Sequence, residues 1–112
     1  MIKAIFHRDQ DGRIVSFTIK GHADSGPYGY DIVCAAVSAT SIGTINGIDA
    51  LAGFQPQVAM DNDNGGYLSV KMTDDQLTDH QIEVAQILLE NLLLTLQDIQ
   101  KQYGQFVSVI TN

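Results

Sequence analysis

Arg13-Ile14-Val15-Ser16-Phe17-Thr18-Ile19-Lys20 alternates in character, with Val15, Phe17 and Ile19 on one face and Ser16, Thr18 and Lys20 on the other. A period of two is that of a strand with one side in a core and one in water. Upstream, Asp9-Gln10-Asp11-Gly12 separates this run from Met1–Arg8, and Asp-Gly between two such runs predicts a hairpin. Downstream, the small apolar run from Ile32 to about Leu51 predicts a helix, which Gly43 and Gly47 would let lie close against the sheet. Gly53 and then Pro56 stop it. Gln57–Met60 and Tyr67–Met72 read as a second hairpin around residues 61–66. That turn superficially resembles a calcium loop, but Gly65 stands at its fifth position and the closing glutamate is absent. It is read as a solvated turn.

Thr73-Asp74-Asp75-Gln76 has the pattern of a capping box, which predicts a helix from about Asp75 to Tyr103. Ile82, Ala85, Leu89, Leu92, Leu96 and Ile99 form its apolar stripe. Val84, Ile87, Leu88, Leu93 and Leu94 widen the stripe beyond one face, which predicts packing against a second subunit. Gly104 ends the helix and Phe106–Ile110 reads as a fifth strand. The order β-β-α-β-β-α-β predicts one α/β (α+β) domain over residues 1–112. It is a two-layer sandwich, a mixed five-stranded sheet with both helices on one face.

The chemistry is concentrated between the second strand and the first helix. Cys34 is the only cysteine, in Gly29-Tyr30-Asp31-Ile32-Val33-Cys34-Ala35-Ala36-Val37-Ser38, twelve residues after Gly21-His22-Ala23. Asp31 has the side chain of an N-cap, which would put Cys34 in the first helical turn, where free N–H groups and the helix dipole favour a thiolate. His22 closes the strand and could serve as its base. Two readings of Cys34 stand side by side on residue type: a small buried hydrophobe, or a nucleophile. Asp31 is a cap or a third member that orients His22; Ser38, one turn beyond Cys34, bonds the sulfur, bonds a backbone carbonyl or fills space. Residues 24–30 combine Gly26 and Gly29, which can absorb backbone rotation, with Tyr28 and Tyr30, which can cover an apolar side chain. That pairing predicts a substrate-binding lid.

Together these residues resemble the signature of the ribosomal-processing cysteine protease family, Prp, and the resemblance runs the length of the chain. It implies a small dimeric endopeptidase that needs no cofactor and removes the N-terminal extension of a large-subunit ribosomal protein. It further implies a Cys34 nucleophile, a His22 general base, and a substrate with an aromatic pair before the cut and a small residue after it. A thiolate–imidazolium pair is expected, as in other thiol proteases.

Composition is consistent with that. The chain has 112 residues, 45% hydrophobic and 17% charged, enough to bury a core. One cysteine excludes an internal disulfide and points to the reducing cytoplasm. No signal peptide is read at the N-terminus, and the most apolar stretch read, Ile87–Leu96, is too short to span a bilayer. A net charge of −7 with scattered basic residues argues against direct nucleic-acid binding and suits a cationic partner. His7 and His80 are expected at the surface, and no metal site is expected. The rival readings are a non-catalytic dimeric ribosome-associated binding module and a small redox or acyl-transfer enzyme using Cys34.

Overall fold

A computed structural model describes residues 1–22, 26, 29–63, 65–72 and 76–112. The elements are β1 (Ile2–Arg8), β2 (Ile14–Lys20), α1 (Tyr30–Gly47), β3 (Gln57–Asp61), β4 (Tyr67–Lys71), α2 (Asp79–Gln102) and β5 (Val107–Thr111). A π-helical turn, Ile48–Ala52, extends α1. The strands form one mixed sheet in the order β3-β4-β2-β1-β5, antiparallel throughout except for the parallel β1–β5 pair.

The register puts the apolar positions on one face. Ala4 pairs with Ile19, Phe6 with Phe17, Phe17 with Val70, Ile19 with Leu68 and Ile2 with Val107, all buried. The Phe6 and Phe17 rings stack with centroids 5.3 Å apart. Lys3, His7, Ser16, Thr18, Lys20 and Lys71 share the opposite face. A sheet with one dry face needs one covering layer, and α1 and α2 provide it. Ala85, Leu89, Leu92, Leu93 and Leu96 of α2 are buried, as are Val33, Cys34, Val37 and Ser41 of α1. His7 and His80 are exposed, as expected.

Four details differ from the sequence reading. In β2, Ile14 rather than Val15 is fully buried, because the register slips between His7 and Arg8 and leaves Val15 over. The Gln86 amide satisfies the backbone there, accepting from the Ile14 N–H and donating to the Ile14 carbonyl, each at 2.8 Å. Next, α2 starts at Asp79, and its capping box is Thr78 with Gln81; Thr73–Asp75 lie outside the described residues. Third, Gly47 faces Leu88 of α2 rather than the sheet, and a Cβ on Gly43 would meet open space. Finally, Tyr30–Ala52, with mean hydropathy 1.3 over its most apolar window, is a longer apolar helix than Ile87–Leu96 and is long enough to cross a membrane. Here Val33, Val37 and Ile48 are buried in the core cluster of the domain, a role that asks for the same composition.

Candidate active site

Strand β2 ends at Lys20, and Gly21 follows with φ of +83°. A Cβ at this position would lie 2.7 Å from the Met1 carbonyl oxygen, so both the backbone angle and the space require glycine. The turn brings the Gly21 carbonyl to α1, where it accepts the Tyr30 hydroxyl at 3.0 Å and the Cys34 thiol at 3.8 Å. In this contact the thiol is the donor and the carbonyl the acceptor. Cys34 is 6% exposed.

The helix start differs from expectation. Gly29, with φ of +92°, is the N-cap of α1 and offers no side-chain cap. Asp31 is the second helical residue and is exposed, so it does not cap the helix. Cys34 is therefore the fifth residue, two residues deeper than predicted, and its N–H is inside the helical ladder. The first N–H groups of α1, those of Asp31 and Ile32 among them, have no intrahelical acceptor. The dipole acts on the sulfur more weakly than at a first-turn position.

Tyr30 opens α1 and is 4% exposed. Its ring stands edge-on to Phe106, centroids 5.4 Å apart. Gly26 is exposed, and a Cβ there would come within 2.9 Å of the Tyr30 ring. Tyr30 is thus an anchor in the core; of the expected lid, Tyr28 and most of 24–30 lie outside the described residues.

His22 is half-buried, and its Nδ1 is screened from solvent with no hydrogen-bond partner of normal geometry among the described residues, Asp31 included. Burial pushes its pKa below the ordinary 6.5, and the Ile19 backbone opposes that only in part. Burial thus works against the imidazolium half of the pair that the sequence predicts. His22 and Ser38 line a cavity of about 340 Å³ whose walls are Ile19, Val37, Ile42 and Leu68, closed by Met60 and Asn62 from the second hairpin. Sequence reasoning brought together His22, Cys34 and Ser38 but missed Met60, Asn62 and Phe106. Met60 and Asn62 reach the cavity from the end of β3 and Phe106 meets Tyr30 from just before β5, and no local motif marks them. Among the described residues, no three His, Cys, Asp or Glu side chains gather as metal ligands.

The site thus sets a thiol and an imidazole on either side of the Gly21 turn, with an apolar cavity beside His22. Comparison with known proteins shows the family. The family model described as "Cysteine protease Prp" matches residues 1–108. The ribosomal processing cysteine protease Prp of Bacillus subtilis is 36% identical over all of this chain and 98% of its own length. A solved structure of a Streptococcus mutans protein superposes with TM-score 0.88 at 36% identity, covering 100% of this chain and 96% of the other. The ribosomal processing protease Prp of S. aureus, solved with a substrate peptide, gives TM-score 0.86 at 30% identity with full coverage of both chains. The same S. aureus protease solved with a covalently linked product peptide gives 0.81 at 32%, again over both whole chains. The chain belongs to the Prp family of cysteine proteases.

Proposed function

We propose that this protease removes the N-terminal extension of a large-subunit ribosomal protein, with Cys34 as nucleophile and His22 as general base. The observation that carries the reading is the Gly21 turn. Its carbonyl holds the Cys34 thiol at 3.8 Å while the next residue is the imidazole. A neutral His22 is competent to accept that proton, and burial favours the neutral form.

In the reaction His22 takes the Cys34 proton and the sulfur attacks the scissile carbonyl carbon. The oxyanion is stabilised by the free N–H groups at the start of α1, the role expected of a helix N-terminus. His22 then returns the proton to the departing amine, leaving an acyl group on Cys34. Water, deprotonated by His22, releases it. The covalently linked product peptide of the S. aureus relative supports such an intermediate. Ser38 and the cavity beside His22 hold the substrate next to the cut, and Asp31 contributes its charge near the free N–H groups of the helix start.

The same reading includes a homodimer and action in the cytoplasm. Ile87 and Leu94, two helical turns apart on α2, are exposed and line a groove with Ile82, which supports self-association through that face. The net charge of −7 supports a cationic substrate segment.

The test is incubation with the extended ribosomal protein, read by mass spectrometry. The wild type is expected to release one N-terminal peptide, and Cys34→Ala to slow this by at least about a thousandfold while still binding the extension. Equal processing by Cys34→Ala would overturn the nucleophile; binding without cutting by the wild type would favour the binding-module reading.

A further inference from the structure

Tyr30 is more than core packing. Its hydroxyl and the Cys34 thiol converge on one acceptor, the Gly21 carbonyl oxygen, at 3.0 and 3.8 Å. The hydroxyl is held there from three sides: the ring is edge-on to Phe106, the Gly26 backbone leaves no room for a Cβ against it, and the side chain is 4% exposed. Gly21 cannot turn away, because its φ of +83° and its approach to the Met1 carbonyl fix the peptide. Two donors thus share an acceptor that neither can move.

We propose that Tyr30 is a positioning residue for Cys34, whose hydroxyl occupies the Gly21 carbonyl and so frees the thiol to pass its proton to His22. The inference rests on Cys34 being the reactive group. When the sulfur loses its proton, its contact with the Gly21 oxygen turns from donor–acceptor into two facing negative charges, one full and one partial. An O–H already bound to that oxygen reduces the partial charge, and does so more strongly than a thiol can. Removing the hydroxyl leaves the thiol as the better-bound donor and the thiolate as the worse-placed anion. Among the described ionisable residues, His22 follows Gly21 and Asp31 is one turn back on α1; the buried face of α2 is apolar (Ala85, Leu89, Leu92, Leu93 and Leu96), and β5 carries no ionisable side chain.

The experiment follows alkylation of Cys34 by iodoacetamide against pH, in the intact protein, so its outcome is independent of peptide cleavage. For Tyr30→Phe, which keeps the ring on Phe106, the rate at pH 7 is expected to fall about three- to tenfold, the worth of one hydrogen bond. The whole profile is expected to move to higher pH. Phe106→Leu, which weakens the packing and keeps the hydroxyl, is expected to lower Tm without moving the profile. A monofluorinated tyrosine at position 30, a stronger donor on the same ring, is expected to move it to lower pH, and it serves as the test if Tyr30→Phe does not fold. An unchanged profile in Tyr30→Phe, or the same displacement in Phe106→Leu, would show that Tyr30 is structural only. Failure of the wild type to cut the ribosomal protein, with these profiles as expected, would remove the proposed substrate and leave this role intact.

Discussion

Gly21 and His22 are neighbours under opposite constraints, one of shape and one of charge. Gly21→Ala must hold a Cβ at positive φ, at about 1–2 kcal/mol, and also push away the Met1 carbonyl. Urea unfolding is expected to show at least that loss, and the Cys34 alkylation rate to change with it. His22 imposes a pH dependence. Its folded pKa is below 6.5, so between that value and 6.5 the unfolded chain holds a proton the folded one refuses. Stability from this residue is complete above about pH 6.5 and is lost as pH falls through that range. Tm is expected to drop from pH 7.5 to pH 5, and His22→Gln to flatten the decline; a variant as acid-sensitive as wild type would assign it to other groups. The His22 and Cys34 candidates could be read from the sequence because their signature lies in two short blocks. The depth of Cys34 could not. Asp31 has the more typical cap side chain, but Gly29 can take the left-handed turn that starts the helix one residue before Tyr30 buries its ring.

Helix α2 shows how far local pattern reaches among elements. Thr73–Gln76 and Thr78–Gln81 carry the same Thr-x-x-Gln spacing, so either could open the helix. The second is used, and its Gln81 amide also reaches the Gly53 carbonyl at the end of the α1 extension, at 3.4 Å. Thr78→Ala is expected to cost about 1 kcal/mol in thermal or urea unfolding, the usual worth of such a cap. Little change would mean that the helix is held by its packed stripe alone. Strand β2 makes the same point. Period two located the strand, but the slip that buries Ile14 depends on Gln86, 72 positions away. Strand existence, strand count and the stripe of α2 follow from periodicity; the exact register follows from side chains no window contains. The outward pair on α2 has its own test: Leu94→Glu is expected to halve the solution mass by light scattering, and an unchanged mass would place any dimer contact elsewhere.

At the scale of the molecule, charge and connectivity dominate. An excess of seven negative charges would draw a cationic substrate segment from a distance that salt shortens to about 8 Å at physiological strength. The kcat/KM on such a substrate is expected to fall several-fold between low and physiological salt, with Cys34 alkylation unaffected; a salt-independent kcat/KM would leave the acidity to solubility. Connectivity has a consequence in time. Strand β1 is flanked by β2, which leaves the ribosome early, and by β5, which leaves last and lies parallel to it. Phe106, at the threshold of β5, is also the wall behind Tyr30. During synthesis the nascent chain therefore carries its cysteine and histidine long before the scaffold around them closes. The wall behind Tyr30 is thus among the last parts of the molecule to be made, and the pocket that holds the cysteine is finished only when the end of the chain is threaded home.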